Sequence, residues 1–226
     1  MKLKGIIFDV HRTLVDDSGF PRERIWKLMR EAGANFDLAE YYRLYDRLTK
    51  QLFNWAEIKN FITVRDIHRK RLTVFYQQYQ VRRNIEQDLN HLWREMGDSK
   101  IYPEVPEVLD RIKGKYKIGL LTNADNDDPL IEILLKTEFA FDAIITSESV
   151  KAYKPQPIIF QEILTTMNYQ KDEVLFVGDS QISDVLGGKN FGIPVVWLNR
   201  KNEPFNVTYP LPDYQISDLR QLINII

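Results

Sequence analysis
Lys4-Gly5-Ile6-Ile7-Phe8-Asp9-Val10-His11-Arg12-Thr13-Leu14 is the stretch whose reading decides the fold. A short apolar run, rich in β-branched and aromatic residues, ends in a carboxylate. Such a run reads as a buried strand, covered on both faces as in a parallel sheet. Ligands of open α/β sheets bind outside the carboxyl ends of the strands, so Asp9 becomes the first candidate functional residue. Thr13 follows at the fourth position, and Leu14 returns to the core.

Outward from that strand the chain changes character twice. Val15-Asp16-Asp17-Ser18-Gly19 is a polar break that reads as a hinge. From about residue 20 to 100 the pattern is helical, and Pro21 suits a helix start. Ile25, Leu28 and Met29 share one face, and Leu44, Tyr45, Leu48 and Leu52 share another. Val64, Ile67, Leu72, Val74 and Phe75 mark a third helix, and Ile85, Leu89, Leu92, Trp93 and Met96 a fourth. These read as a helical bundle inserted after the first strand. Trp26, Trp55 and Trp93, with Tyr41, Tyr42, Tyr45, Tyr76 and Tyr79, read as its core, and His68 and His91 as packing or surface residues.

After Pro103 helices and strands alternate. Helices are expected over Pro106–Lys113, Asp128–Thr137, Pro157–Met167 and Ser183–Asn190, and strands over Tyr116–Leu121, Phe141–Ile145, Val174–Val177 and Pro194–Leu198. Ile216–Ile225 is expected to close the chain as a helix. Alternation of this kind implies right-handed βαβ units and a parallel sheet. The expected fold is therefore α/β, a doubly wound parallel sheet with an inserted helical-bundle cap. Residues 1–15 and 101–226 form the core, and 16–100 the cap.

Composition bounds the function. The chain has 226 residues, a net charge of −1 and no cysteine. Near-neutral charge gives no global attraction to nucleic acid or a membrane surface. Without cysteine there is no disulfide, thiolate metal site or thiol nucleophile, which suits a cytoplasmic protein. No stretch reaches the roughly 20 apolar residues that a bilayer span needs. Residues 15–102 carry 16 Lys plus Arg against 13 Asp plus Glu, a net of +3, which would favour an anionic substrate but which an ordinary solvated helical surface also explains.

Three later stretches end in polar residues at the expected carboxyl edge. They are Leu120-Leu121-Thr122-Asn123, Ala152-Tyr153-Lys154-Pro155, and Phe176-Val177-Gly178-Asp179-Ser180-Gln181-Ile182-Ser183-Asp184. Pro155 biases Lys154 toward an extended loop. Gly187, Gly188 and Gly192 would let the helix after Asp184 pack close to the sheet. Together with the first strand, in this order, these stretches resemble the haloacid dehalogenase-like hydrolase superfamily, over nearly the whole chain.

The resemblance implies a Mg2+-dependent phosphatase acting on a small phosphorylated metabolite. Asp9 would be the nucleophile, forming an aspartyl-phosphate that splits one hard displacement into two easier ones. Asp9, the backbone carbonyl of His11, and Asp179 would hold the Mg2+, with Asp184 acting through a metal-bound water. Thr122 would bind a phosphoryl oxygen, assisted by the Asn123 backbone, and Lys154 would neutralise the phosphate. Such phosphatases usually carry Asp where this chain has His11. An imidazole titrates near neutrality and can both give and take a proton, so His11 is read as a substitute acid/base, the other reading being a merely tolerated residue with turnover slow or limited to good leaving groups. Arg12 is assigned no chemistry.

Two other readings stay open. Phe141-Asp142, Tyr153-Lys154-Pro155 and Phe191-Gly192 through Val196-Trp197-Leu198-Asn199-Arg200 also resemble the 2-haloacid dehalogenases, which need no metal and lack a counterpart of Asp179. A catalytically impaired binding protein on the same scaffold is the third. Substrate identity and oligomeric state are left open.

Overall fold
The structure, a computed structural model, describes residues 3–52 and 61–226; Trp55 lies outside them. Strand β1 (Gly5–Phe8) is buried at every residue. Its side chains alternate between two apolar layers, as a period of two requires. Ile6 and Phe8 enter one layer, and Ile7 the other. Burying each of these side chains is worth roughly 1.5–3 kcal/mol, so β1 is pinned from both faces.

A short strand β2 (Val15–Asp16) follows, then helices α1 (Arg22–Glu31), α2 (Leu38–Leu52), α3 (Val64–Gln78) and α4 (Ile85–Met96). Thr63 caps α3 by accepting from the Asp66 N–H, and Asn84 caps α4 by accepting from Gln87. Strand β3 (Lys100–Ile101) then pairs antiparallel with β2. The expected hinge over Val15–Gly19 therefore begins as a strand. Val15 is fully buried opposite Ile101, so apolar burial wins over the polar residues that follow.

The rest of the chain alternates as its sequence pattern predicts. Helix α5 (Val105–Ile112) leads to β4 (Lys117–Thr122), and α6 (Pro129–Leu135) to β5 (Ala143–Thr146). The short α7 (Ser147–Val150) and then α8 (Pro157–Met167) lead to β6 (Val174–Gly178). Beyond β6 the expected single helix is divided into a π-helical segment, Gln181–Leu186, and α9 (Gly187–Phe191). Gly188 permits that entry: a Cβ there would lie 2.6 Å from Val195 Cγ2 on the neighbouring strand.

Strands β7 (Val195–Leu198) and β8 (Tyr214–Ile216) complete a six-stranded, all-parallel sheet of order β5-β4-β1-β6-β7-β8. The tail expected as a helix thus starts as an edge strand. It then makes a 3-10 helix over Leu219–Asn224, with Asp218 accepting from the Arg220 N–H at its start. Leu219 and Leu222 are the buried residues, a spacing of three that matches three residues per turn.

The fold is α/β and Rossmann-like. The chain runs outward from β1 through β4 to β5, then returns to the other side of β1 for β6, β7 and β8. That reversal makes the carboxyl ends of β4, β1 and β6 the crevice where such sheets bind ligands.

Candidate active site
Asp9 directly follows β1, and its N–H donates to the Val177 carbonyl of β6 (2.9 Å). The backbone then turns tightly: the N–H groups of Leu14 and Val15 both donate to the Val10 carbonyl (3.0 and 3.1 Å). This brings the Thr13 hydroxyl within 3.1 Å of Asp9 Oδ2, to which it donates.

Lys154 reaches the same carboxylate from the loop before α8. Its ammonium donates to Asp9 Oδ1 (2.7 Å) and Asp184 Oδ1 (2.6 Å) and is almost wholly buried. Burial alone would lower the Lys154 pKa; Asp184 and Asp9 outweigh it and keep the group charged. Asn123 fixes the lysine's backbone from both sides. Its Nδ2 donates to the Lys154 carbonyl (3.0 Å), and its Oδ1 accepts the Lys154 N–H (2.7 Å). The expectation gave Asn123 a backbone role; its side chain makes this clasp.

Asp179 and Asp184 come from the end of β6 and the π-helical segment. The Ser180 N–H donates to Asp184 Oδ2 (2.9 Å). Gly178 makes room for that carboxylate, since a Cβ there would collide with Asp184 Oδ2. Trp197 Nε1 donates to the Asp179 carbonyl (2.8 Å), tying this loop to β7. Carboxylate oxygens of Asp9, Asp179 and Asp184 lie within 4.8 Å of one another. Burial pushes the Asp179 pKa up; Arg12 opposes the rise, and Asp9 and Asp184 add to it. Burial likewise raises Asp184 against the pull of Lys154.

This donor set fits a hard divalent cation, which takes carboxylate oxygens. Among the described residues these three crowded carboxylates pair with two cations, Lys154 and Arg12, and a divalent ion would relieve the repulsion among them. Thr122 ends β4 fully buried, and its Oγ1 has no hydrogen-bond partner among the described residues. A buried hydroxyl in that state suits a ligand oxygen.

His11 sits differently from the others. Its Nδ1 is 2.8 Å from Asp17 Oδ2, and its Nε2 is 3.3 Å from Asp128 Oδ2. Burial lowers its pKa, but Asp128 and Asp17 outweigh burial and hold it well above the ordinary histidine value. The ring thus lies between two carboxylates that favour its protonated form.

The sequence reading missed several residues here. Asp17 and Asp128 look like a turn acid and a helix cap; Asp128 does cap α6, accepting the Leu130 N–H with its other oxygen. Arg12 places its Nε 3.0 Å from Asp179 Oδ2. Arg200 donates to the Thr13 carbonyl (2.9 Å) and pairs with Glu104 (2.5 Å), bracing the loop after Asp9. No local signal marks the contacts His11–Asp128, Arg12–Asp179 and Arg200–Thr13, because each joins residues distant in sequence.

These carboxylates open into a cavity of about 410 Å³ between the sheet edge and the inserted helices. Asp9, Thr122, Lys154 and Asp184 form its floor, and Tyr45, Lys50, His68, Arg71 and Trp93 contribute from α2, α3 and α4. Arg71 is buried, donates to Thr49 Oγ1 (3.2 Å), lies 2.9 Å from His68 Nδ1 and covers the Tyr45 ring. No helix among the described residues is long and apolar enough to cross a membrane.

Comparison with known proteins gives a consistent picture. The family model described as haloacid dehalogenase-like hydrolase matches residues 6–198. N-acylneuraminate-9-phosphatase of Rattus norvegicus is 23% identical over 98% of this chain and 92% of its own length. (S)-2-haloacid dehalogenase 4A of Burkholderia cepacia is 24% identical over 98% of this chain and 91% of its own. Among solved structures, the HAD-hydrolase YfnB from Bacillus subtilis, bound to magnesium, superimposes with a TM-score of 0.77. That match covers 100% of this chain and 99% of the other at 17% identity.

Proposed function
The chain belongs to the haloacid dehalogenase-like hydrolase family, and from that premise we propose that it hydrolyses a small phosphate monoester with Mg2+, through an aspartyl-phosphate on Asp9. The observation that carries this reading is the convergence of Asp9, Asp179 and Asp184 carboxylates within 4.8 Å, with Lys154 buried between two of them. Those three residues, with the His11 carbonyl, would hold the cation. Bound there, it would draw charge from the phosphoryl oxygens and reduce their repulsion with Asp9.

The chain's own groups supply the rest. Asp9 Oδ attacks phosphorus, and the bond to the ester oxygen breaks. Thr122 and Lys154 hold the phosphoryl oxygens through hydrogen bonds and charge. His11, protonated at the start, gives its proton to the departing alkoxide. The neutral imidazole then takes a proton from the water that attacks the aspartyl-phosphate, releasing phosphate and restoring Asp9. The inserted helices close the cavity over these steps and limit competing water. Phosphate esters named among the relatives' activities support a small-molecule substrate.

A second reading has its own support. Position 11 carries no carboxylate, and Arg12 supplies a positive charge beside Asp179, as a metal-free 2-haloacid dehalogenase would tolerate. A screen of phosphate monoesters and 2-haloacids, each with Mg2+ and with chelator, separates them. Metal-dependent phosphate release supports the phosphatase, and halide release in chelator supports the dehalogenase. Absence of both, together with no labelling of Asp9 by acetyl phosphate, would leave only a binding protein.

A further inference from the structure
Arg12 is the residue for which neither the sequence pattern nor the proposed reaction has a use. Its backbone is left-handed, at φ 57°, where a side chain bearing Cβ is uncommon. The loop enforces this conformation: the Arg12 N–H donates to the Val15 carbonyl (2.8 Å), and the Arg12 carbonyl accepts from Arg200 Nε (3.3 Å). The result is a guanidinium 3.0 Å from Asp179 Oδ2, on one of three carboxylates that converge within 4.8 Å.

The site's two cations are not equivalent. Lys154 is 1% exposed and holds two carboxylates at once, so it has nowhere to go. The Arg12 side chain is 50% exposed and borders two cavities, one of about 410 Å³ over Asp9 and one of about 430 Å³ on the far side of Asp179. A guanidinium leaving Asp179 has space on either side and stays within reach of the cleft.

We propose that Arg12 is a built-in competitor for the divalent cation, and that its displacement couples cation binding to anion binding. The cation must take Asp179 from the guanidinium, and the released guanidinium meets the anion held over Asp9. This rests on the carboxylate cluster being the cation site of the proposed phosphatase. Reciprocity follows: whatever the anion adds to cation affinity, the cation adds to anion affinity. A half-exposed ion pair is a modest competitor, so the effect on cation affinity is about two- to fivefold.

The test is calorimetric titration of the full chain with MgCl2 at constant ionic strength, with and without inorganic phosphate. Arg12→Ala is expected to bind Mg2+ alone about two- to fivefold more tightly than the unaltered chain, and phosphate then strengthens Mg2+ binding less than it does in that chain. Arg12→Gln, which keeps length without charge, gives the same result, and it decides the matter should the alanine variant unfold. Equal or weaker Mg2+ affinity in the variants, or an unchanged phosphate effect, overturns the proposal while leaving the phosphatase reading in place. Failure of every chain to bind Mg2+ overturns both.

Discussion

Two histidines face the same cavity from opposite walls, and their surroundings are opposite in sign. His11, on the loop after β1, lies between the carboxylates of Asp17 and Asp128, which hold its pKa well above the usual value against the effect of burial. His68, on α3, is buried beside Arg71 and between the rings of Phe20 and Trp93. Burial, Arg71 and His11 itself push its pKa well below the usual value. The sheet-side wall therefore favours the charged form of an imidazole, and the helical wall the neutral form. A proton to be donated belongs on the first wall; on the second, the imidazole fills space and orders Arg71.

Kinetics give the largest test of that contrast. His11→Asn is expected to lower kcat by about 10²–10⁴-fold, the range for losing a general acid. His68→Asn should cost less than about tenfold, through loosened packing. Equal losses would break the comparison. His11→Asp introduces a carboxylate at this position, yet a large gain is not expected. The new carboxylate would face Asp17 and Asp128, and like charges at that distance resist ionisation. A large gain would show that His11 is only tolerated, not a substitute acid.

The next effect is on pH dependence. Removing one clamp, in Asp128→Asn or Asp17→Asn, should move the alkaline limb of kcat toward acid by about 1 pH unit or more, the usual effect of one opposite charge. Stability should respond to the two histidines with opposite signs. His11 has a raised folded pKa, so its contribution is full below about 6.5 and is lost as pH rises through the folded value. His68 has a lowered folded pKa, so the folded state loses stability as pH falls below about 6.5, where the unfolded chain takes up a proton that the folded chain refuses. Thermal unfolding of the two Asn variants from pH 5 to 9 should deviate from the unaltered chain in opposite directions. Imidazole proton resonances should place the two titrations on either side of 6.5.

The sheet-side wall was the more legible of the two in sequence. Buried parallel strands are written as continuous apolar runs, so the Asp9, Thr122 and Asp179 positions at strand ends could be read directly. Lys154 was legible through Pro155, which keeps it out of helix. The supports of those residues were not. Asp128 serves two partners with its two oxygens, and only the helix cap has a local pattern. The helical wall hides more: Arg71 sits in an arginine-rich helix where nothing distinguishes the buried cation from exposed neighbours such as Lys70. The strand β8 was hidden too, because three residues of edge strand carry too little periodicity to outweigh the apolar spacing that follows.

The smallest expected effect concerns the tie between the walls. Asp125, just beyond β4, accepts the N–H groups of Val64 (2.7 Å) and Arg65 (2.8 Å) at the start of α3, the helix that carries His68. Burial pushes its pKa up to about 6, with Glu148 and Asp127 adding to the rise against those two hydrogen bonds. A carboxyl with a raised folded pKa favours the folded state most at low pH, and that contribution declines as pH rises from about 4 to about 6. Asp125→Asn keeps one acceptor and removes the titration. Its amide group confronts the second N–H, so the variant should be less stable by about 1 kcal/mol near pH 4, the scale of one lost hydrogen bond. The deficit should narrow as pH rises through 6, because there the unaltered chain must bury a charge that the variant lacks. Chemical denaturation at pH 4, 5, 6 and 7.5 measures this directly. A deficit that widened with pH would mean that the ionised carboxylate is the better anchor, and that the helix start draws more from its charge than burial takes away.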